Sequence, residues 1–389
     1  MIQKVVMGTQ IPAKLWLNQV EDPCMAQIIT LASLPYALKH IAIMPDAHTG
    51  KGMPIGGVLA TKGVVIPNAV GVDIGCGMCA IKSNLFAKDL TREDLTAILS
   101  YVKSMIPIGF EHREEPVDEN ELPDIDLETL PYLKNKKAEI LKQIGTLGGG
   151  NHFIEIQKDT SSGYVWVMIH SGSRKIGYKV SEHYNKLAEF WCQKWYANAY
   201  PNLSFLPIET QEAKDYMREM AYCKEMAHTN RRVMMNYVIE AFKVIRPEVE
   251  FDPMINVAHN YAAWEEHFGE MVIVHRKGAT RARKGEIGII PGSMGTHSYI
   301  VEGLGNPESF MSCSHGAGRK LSRTSAIRSL SVEVERKEMD SKGIIHTLTD
   351  ENSLDEAPGA YKDIEEVMAF QSDLVKPLIK LAPLAVIKG

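Results

Sequence analysis

Short motifs rich in histidine and glycine are the parts of this chain best suited to chemistry. They combine several imidazoles, one Asp-x-x-Cys pair and many glycines, and they lie at residues 71–77, 148–152, 169–174, 258–261 and 313–319. A thiolate, a carboxylate and imidazoles are ligands for borderline transition metals. Glycines allow the backbone to approach a bound phosphate closely. The combination predicts a metal-dependent enzyme that acts on phosphate esters.

Asp73 and Cys76 form the clearest pair of candidate metal ligands. They lie three positions apart on a turn broken by glycines, so both side chains can face one centre, and a thiolate can bridge two cations. His152 and Glu155 have the same spacing, but they would share a face only in a helical segment. A single His beside a strand is more often a hydrogen-bonded core residue, whereas the joint occurrence of the motifs favours ligands. The ligand types alone favour zinc or another borderline metal.

His315 lies between Ser314 and Gly316, and these small neighbours leave its imidazole accessible. A neutral imidazole is a competent nucleophile toward phosphorus and forms a labile phosphoramidate. Arg319 follows four positions later and can hold a phosphate in bidentate fashion. From chemistry alone, the alternative that His315 is another metal ligand stays open. A turn at 291–295 offers further backbone N–H groups to phosphates.

The elements that must position these motifs are predicted from hydrophobic periodicity. The first 85 residues are predicted to be β-rich, with short apolar runs cut by Gly and Pro. Thr91 is the predicted N-cap of a helix over 89–105, and the acidic segment 111–130 is a predicted exposed excursion. Further helices are predicted over 134–144, 179–197 and 211–244, and strands over 163–170 and 286–290. Because motifs recur along most of the chain, we predict one site assembled from distant segments.

The overall composition excludes several classes of protein. The chain has 389 residues, of which 45% are hydrophobic and 23% charged, and no apolar run approaches the roughly 18 residues of a membrane span. The N-terminus lacks the layout of a secretory signal. The net charge of −5 and the sequence pI near 6.2 argue against a general cationic coat for nucleic acids. The basic run 275–284 is interpreted as a solvated surface loop, with a local basic groove as the alternative.

The six cysteines are sparse and irregularly spaced, which is not the pattern of a disulfide framework. A reducing cytoplasm is therefore the predicted location. Cys76 and Cys79 form a Cys-x-x-Cys sequence, for which a redox pair is a minor alternative. No second Cys-x-x-Cys completes a structural zinc site.

Five of the motifs together resemble the RtcB family of tRNA-splicing RNA ligases. They are, in chain order, MPDAHTGKG from Met44, VGVDIGCG from Val70, LGGGNHF from Leu147, HSGSR from His170 and SHGAGR from Ser314. The resemblance extends from about residue 7 to Lys388 and Gly389. It implies an α/β fold with mixed α and β elements, formed by a single domain over residues 1–389 with a central metal and nucleotide cleft.

The resemblance also implies roles for individual residues. His315 would be the nucleophile toward the α-phosphate of GTP, and Arg174 and Arg319 would be catalytic or RNA-phosphate arginines. Two manganese ions, with Cys76 shared between them, would be bound by Asp73, Cys76, His152, His170 and His259. The nucleotide would be contacted by Asn151, Glu155, Ser293, Ser298, Tyr361 and Lys388.

The activity implied by the resemblance is the joining of an RNA 3′-phosphate or 2′,3′-cyclic phosphate end to a 5′-hydroxyl end. It would proceed through a histidine–GMP intermediate and an RNA-3′-pp-5′-G end, in tRNA splicing or RNA repair, with an archease-like activator as a further partner. A dinuclear metal-dependent phosphoesterase is the alternative from another enzyme class, and it would share the metal ligands without needing His315, Tyr361 or Lys388. A third hypothesis is a non-catalytic RNA-binding scaffold.

Overall fold

Two large β-sheets with helices packed around them make up the computed structural model, which describes residues 1–8 and 10–389. The strands are β1 (Lys4–Met7), β2 (Pro12–Leu15), β3 (Ile41–His48), β4 (Ile55–Thr61), β5 (Val64–Val65), β6 (Gly77–Phe86), β7 (Phe153–Asp159), β8 (Tyr164–Ser171), β9 (Leu206–Pro207), β10 (Ile255–Ala258), β11 (Asn260–His267), β12 (Glu270–Lys277), β13 (Ala279–Arg281), β14 (Ile287–Ile290), β15 (Ser298–Gly303), β16 (Ser312–Ser314) and β17 (Val375–Lys388). The helices are α1 (Asp22–Leu31), α2 (Arg92–Met105), α3 (Lys137–Gln143), α4 (Arg174–Lys194), α5 (Gln211–Ile245), α6 (Arg323–Ser329), α7 (Val332–Ser341) and α8 (Ile364–Phe370).

The first sheet has six strands in the order β1-β2-β3-β4-β12-β11, and the second has seven in the order β10-β6-β8-β7-β17-β15-β14. All neighbours within them are antiparallel except β2 and β3. Two short pairs, β13 with β16 and β5 with β9, complete the strand pairing of the described residues. The predicted mixed α/β class is confirmed.

Helix α2 forms where the sequence predicts it. The Thr91 side chain accepts a hydrogen bond from the Asp94 N–H, and the Asp94 carboxylate accepts one from the Thr91 N–H, which is a complete capping box. The apolar side chains of the helix are buried, among them Ile98 and Val102. They pack with the inner face of the second sheet and with Met234 and Val238 of α5 in one apolar cluster. This burial supplies most of the stability of such a helix.

The other predicted elements are confirmed with small shifts of their ends. The predicted helices at 134–144, 179–197 and 211–244 correspond to α3, α4 and α5, and the predicted strands correspond to β8 and β14. The acidic segment 111–130 is mostly exposed and contains two single 3₁₀ turns. The helix α1 inside the region predicted to be β-rich was not foreseen, nor was the long strand β17. None of the helices in the described part of the chain combines the length and apolarity that a bilayer crossing requires.

The interpretation of 275–284 as a solvated surface loop is wrong. Its first residues lie in β12, and His275, Arg276 and Lys277 are buried. The Arg276 guanidinium binds the buried Glu265 carboxylate on β11, and the Lys277 ammonium donates to the carbonyl oxygens of residues 51 and 68. Partners outside the basic run therefore hold Arg276 and Lys277 inside the fold, which local charge density cannot indicate.

Candidate metal and nucleotide site

The predicted metal ligands come from strand ends that the second sheet places side by side. Gly77 of β6 pairs with Ala258 of β10 on one side and with Ser171 of β8 on the other, and Phe153 of β7 pairs with His170. Each of these pairs lies next to a predicted ligand in the sequence. Strand register thus brings together five side chains, which are Asp73, Cys76, His152, His170 and His259.

The ligand atoms form a tight cluster around Cys76. Its Sγ lies 3.4 Å from His152 Nε2 and 3.3 Å from His170 Nε2. His152 Nε2 lies 3.1 Å from Asp73 Oδ2, and His170 Nε2 lies 3.4 Å from His259 Nε2. Two groups of potential ligands result, one of Asp73, Cys76 and His152 and one of Cys76, His170 and His259. The thiol belongs to both groups, as a ligand shared by two cations must.

Contacts behind the cluster orient two of its imidazoles and fix the tautomer of His170. His152 Nδ1 lies 3.0 Å from the Leu147 carbonyl oxygen, and His170 Nδ1 lies 3.0 Å from the Asn151 carbonyl oxygen. A carbonyl can only accept, so His170 Nδ1 carries the proton and its Nε2 directs a lone pair into the cluster, whereas His152 Nδ1 also lies 3.2 Å from Arg174 Nη1. Such backing of the distal nitrogen is the usual outer shell of metal-binding histidines.

The converging atoms fit cations better than they fit each other. The Nε2 lone pair of His170 faces the Cys76 sulfur, and Asp73 Oδ1 and His259 Nδ1 are buried without a hydrogen-bond partner among the described residues. Burial lowers the pKa of His170 and of His259 well below the usual value, so both imidazoles are neutral, as ligands must be. Burial, followed by the nearby Asp73, raises the pKa of the Cys76 thiol. Cation binding therefore has to displace that proton.

Two buried side chains of α5 hold the backbone of the cluster. Asn230 accepts hydrogen bonds from the N–H groups of Gly145 and Thr146 and donates to the Gly172 carbonyl oxygen, at 2.8, 3.1 and 3.0 Å. Arg231 donates to the carbonyl oxygens of Gly75 and Ser171 at 3.1 and 2.8 Å. The polar contacts on this helix therefore position the loops that carry the ligands.

His315 lies at the edge of the cluster and is oriented by a carboxylate. Its ring centroid is 4.8 Å from that of His259, and its Nδ1 lies 2.6 Å from Oδ2 of Asp46, which is fully buried on β3. The same oxygen accepts the N–H groups of His315 and Gly316 at 3.1 and 3.3 Å. The carboxylate keeps the proton on Nδ1 and leaves the Nε2 lone pair free for a nucleophilic role.

A cavity of about 510 Å³ adjoins His315 and the metal cluster, and this cavity is called the nucleotide cavity below. Predicted site residues that line it are Asp73, Cys76, Asn151, Glu155, His170, His259, Ser293, His315, Arg319, Tyr361 and Lys388. Its volume lies within the usual range for small-molecule sites. The structure therefore brings most of the predicted residues to one cavity.

Glu155 lies on this cavity from a strand. It belongs to β7 and is almost fully buried, so the local helix that would place it on one face with His152 does not form. Its Oε1 accepts a hydrogen bond of 2.6 Å from Gln157. Burial raises the pKa of Glu155 to about 8, against the lowering effects of Gln157 and Lys388.

Three predicted residues do not line the nucleotide cavity, and they are the metal ligand His152, Ser298 and Arg174. Ser298 is buried in β15, where its Oγ accepts hydrogen bonds from the Gly292 N–H and from the Gln157 side chain, both at 3.1 Å. It thereby supports the turn that carries Ser293. Arg174 lies on the opposite side of the cluster, with Nη1 at 3.2 Å from His152 Nδ1.

The chain matches the family model described as tRNA-splicing ligase RtcB over residues 27–131 and 124–389. The chain belongs to the RtcB family. It is 41% identical over 403 residues to the RNA-splicing ligase RtcB of Escherichia coli (strain K12), a match that covers 97% of each chain. It is 32% identical to the tRNA-splicing ligase RtcB of Pyrobaculum aerophilum, over 98% of this chain and 95% of the relative. It is also 32% identical to the RNA-splicing ligase RtcB homolog 2 of Entamoeba dispar, over 94% and 83%.

Two further residues contact the site residues, and the resemblance assigned a role to neither of them. Asp46 belongs to a quoted motif, but no role was predicted for it. Glu356 lies outside the motifs, and its carboxylate is buried where it contacts Arg319, Lys388 and the Tyr361 hydroxyl. Only the abundance of polar residues near 350–356 marks this segment in the sequence, and such abundance is common in surface loops.

Proposed function

We propose that this RtcB family member is an RNA-splicing ligase that joins an RNA 3′-phosphate or 2′,3′-cyclic phosphate end to a 5′-hydroxyl end. GTP is the proposed energy source and two Mn²⁺ ions are the proposed metals. An archease-like activator and a cytoplasmic location belong to the same proposal. The contact between His315 Nδ1 and Asp46 beside a cluster of metal-ligand type is the observation that carries it.

The proposed first step uses His315 as nucleophile. Its Nε2 attacks the α-phosphorus of GTP, a nitrogen–phosphorus bond forms and pyrophosphate leaves. Asp46 keeps Nδ1 protonated and stabilises the charge that develops on the imidazole. Asp73, Cys76, His152, His170 and His259 would hold the two ions, which would supply Lewis-acid charge and a template for the phosphates.

The later proposed steps transfer GMP to the RNA and then release it. Water first opens a cyclic phosphate to a 3′-phosphate. An oxygen of the RNA 3′-phosphate then attacks the GMP phosphorus, which frees His315 and gives RNA-3′-pp-5′-G. The 5′-hydroxyl oxygen finally attacks the RNA phosphorus, and GMP leaves with the electron pair. Arg174 and Arg319 are the proposed contacts to RNA phosphates, because guanidinium groups bind phosphate in bidentate fashion.

Contacts with the guanine are proposed for residues at the far wall of the nucleotide cavity. The Glu155 carboxylate can accept the N–H groups of the base, the Lys388 ammonium can donate to its carbonyl oxygen and the Tyr361 ring can stack on it. Asn151 and Ser293 are the proposed contacts to sugar and phosphates, and Ser298 is proposed to support the Ser293 turn. Glu356 holds Arg319, Tyr361 and Lys388 together on that wall.

Labelling with α-³²P-GTP tests the proposal. Wild-type protein with Mn²⁺ should retain an acid-labile label through a denaturing gel, whereas His315→Ala should retain none. His297→Ala is the matched control, because this imidazole is half-exposed and pairs with Glu365. A wild-type protein that binds metal but takes no label would contradict the ligase and favour the phosphoesterase.

A further inference from the structure

The segment of β3 that carries Asp46 departs from regular sheet pairing. Strand β3 keeps its register with β4 up to Ile43 and resumes it at His48, so residues 44–47 form a bulge between these two pairs. A bulge redirects side chains and interrupts the ladder of backbone hydrogen bonds. Contacts from outside the sheet therefore have to fix the direction in which the Asp46 carboxylate points.

The ammonium group of Lys362 holds this bulge. Its Nζ donates hydrogen bonds to the carbonyl oxygens of Pro45 and Ala47, at 3.2 and 2.6 Å, so it binds the residues on both sides of Asp46. Pro45 and Ala47 are buried, and buried carbonyl groups need hydrogen-bond partners. A charged donor forms a stronger hydrogen bond than a neutral one. One side chain, 315 positions from Ala47 in the chain, therefore fixes the backbone on either side of the carboxylate that orients His315.

The backbone of Lys362 is also tied to the turn that follows His315. The Lys362 N–H donates to the Gly318 carbonyl oxygen at 2.9 Å. Gly318 has a φ of +75°, and a Cβ at this position would lie 2.1 Å from the Asp46 carbonyl oxygen. The bulge, the glycine turn and Lys362 are thus in direct contact, so that a displacement of one of them reaches the other two.

The charge of Lys362 suits a position beside Asp46. The Asp46 carboxylate is fully buried, and its Oδ1 has no hydrogen-bond partner among the described residues. A buried carboxylate needs a compensating charge nearby. Burial lowers the pKa of Lys362, and attraction to Asp46 opposes that lowering. Since Nζ binds the carbonyl oxygens, it compensates the carboxylate without occupying the oxygen that holds His315.

The backbone next to His315 has a separate support. The Ser314 N–H donates to Oε1 of Gln371 at 3.0 Å, and Gln371 is fully buried directly after α8. This contact does not involve the ammonium of Lys362. Loss of that ammonium should therefore displace Asp46 relative to His315, while the His315 backbone keeps its place.

A cavity of about 580 Å³ adjoins the bulge and is called the rear cavity below. Pro45, Ala47, Lys320 and Lys362 are among the residues that line it, whereas the Asp46 carboxylate contacts His315. Neighbouring side chains of a strand point to opposite faces, which agrees with this division. A small molecule in the rear cavity can therefore reach the Lys362 position without entering the nucleotide cavity.

We propose that Lys362 is a positioning residue for the guanylylation of His315, because its ammonium fixes the carbonyl groups on both sides of Asp46 and thereby keeps Asp46 Oδ2 against His315 Nδ1. This inference rests on the proposed function. In that step a bond forms between His315 Nε2 and the α-phosphorus of GTP, the bond from that phosphorus to the pyrophosphate oxygen breaks, and this oxygen keeps the electron pair. The proton on Nδ1 stays on the imidazole. Lys362 contacts none of the reacting atoms and acts through Asp46.

Lys362→Met tests the proposal, with Lys320→Met as the matched control. Methionine keeps an apolar stem and removes the ammonium, and Lys320 is an exposed lysine on the same cavity. The measured quantities are the maximal single-turnover rate of His315 labelling from α-³²P-GTP, the GTP concentration that gives half of that rate, and the content of bound Mn²⁺.

The expected result for Lys362→Met is labelling that is about 10²-fold slower, the loss that follows when a reacting group is misplaced by about 1 Å. The half-saturating GTP concentration and the metal content should stay at the wild-type level, and Lys320→Met should label at the wild-type rate. An unchanged rate in Lys362→Met would overturn the proposal. A loss of GTP affinity and metal together with the rate would also overturn it, because the side chain would then support the whole site.

Two further measurements separate the ammonium and its route through Asp46 from a general effect on packing. Asp46→Asn combined with Lys362→Met should label no more slowly than Asp46→Asn alone, because residues that act through one contact have non-additive effects. Propylammonium, which replaces the part of the side chain that Lys362→Ala lacks, should restore labelling in that variant, whereas propanol should not. Additive losses, or equal effects of the two compounds, would overturn the proposal. A wild-type protein that takes no label would instead refute the proposed function, and this inference with it.

Discussion

At the scale of single residues, contacts with neighbouring groups determine how the histidines of the site are oriented, and the residue type alone does not. His315 owes its orientation to a carboxylate 269 positions away in the chain. His170 owes its tautomer to the Asn151 carbonyl oxygen. In each case one nitrogen is committed to a hydrogen bond so that the other is free for a cation or a phosphorus atom.

Asp46→Asn should slow the guanylylation of His315 by about 10²–10⁴-fold, the range expected when a buried orienting carboxylate becomes an amide. An amide N–H directed at Nδ1 would favour the tautomer that carries its proton on Nε2, and that tautomer cannot attack phosphorus. The measurement is the single-turnover rate of labelling from α-³²P-GTP. The content of bound metal is the control and should not change. An unaltered rate would mean that Asp46 only holds the backbone of residues 315 and 316.

Glu155 should make GTP binding dependent on pH. Its pKa is raised to about 8 by burial, so the free protein holds a proton there at neutral pH, and accepting the guanine N–H groups requires this proton to leave. Affinity should therefore increase as the pH rises from about 6 to about 8, by at most about tenfold per pH unit, and then level off. The dissociation constant can be measured in the His315→Ala protein, which cannot react. Adding Glu155→Gln should remove this increase, and an equal slope in both proteins would exclude Glu155 as its source.

At the scale of elements, two neighbouring strands of the first sheet carry a buried pair of opposite charges. Arg276 is buried in β12, and Glu265 beside it on β11 keeps a pKa lowered to about 2, because attraction to Arg276 and contact with His267 outweigh burial. The pair joins two strands of the first sheet whose continuation leads into His259 and β13. A buried ion pair of this kind is costly to break from one side.

Glu265→Ala should lower the free energy of unfolding by about 3–5 kcal/mol, because Arg276 would remain buried without its partner. Glu286→Ala is the matched comparison, since its partner Arg281 is exposed to 37% in its side chain and the loss should be below about 1 kcal/mol. Urea unfolding of the two variants beside the wild type gives both numbers. Equal losses would show that burial does not distinguish the two pairs.

The sequence is sufficient to predict the elements that have strong local signals and to predict that the motif residues lie close together. Thr91 and the apolar face behind it define α2, and the glycine-bounded histidines converge as predicted. Strand β17 could not be predicted, because Pro377 and Pro383 argue against a central strand. The structure accommodates them at irregular register, with a shift between Pro383 and Ala385. The contacts of Glu356 and Asp46 depend on long-range packing, which leaves no local signal in the sequence.

At the scale of the whole molecule, the metal cluster joins segments from residue 73 to residue 259. Its ligands lie at or next to the ends of four neighbouring strands of the second sheet, and α5 holds the connecting loops from behind. Unfolding has to separate all of these segments. An ion that binds only the assembled cluster therefore stabilises the entire fold.

Mn²⁺ should raise the free energy of unfolding of the wild-type protein by about 2.7 kcal/mol at a concentration one hundred times the dissociation constant. Cys76→Ala should lose this gain, bind neither ion and take no label from GTP, because a methyl group cannot replace a shared thiolate. Thermal unfolding with and without Mn²⁺, together with metal analysis, provides the measurement. Cys79→Ala is the control, since this buried thiol contacts the Arg231 carbonyl oxygen and belongs to neither ligand group. Normal metal content in Cys76→Ala would contradict the shared ligand.

The position of β17 between β7 and β15 has a consequence for folding during synthesis of the protein. During synthesis, β7 leaves the ribosome more than two hundred residues before the strand that pairs with it, since Phe153 pairs with Lys388. For that interval one edge of β7 exposes unpaired N–H and C=O groups, the kind of edge that recruits strands from other nascent chains. The second sheet can close only once residues 375–388 are available, so the cell has to shield an incomplete sheet for most of the time that the ribosome spends on this chain.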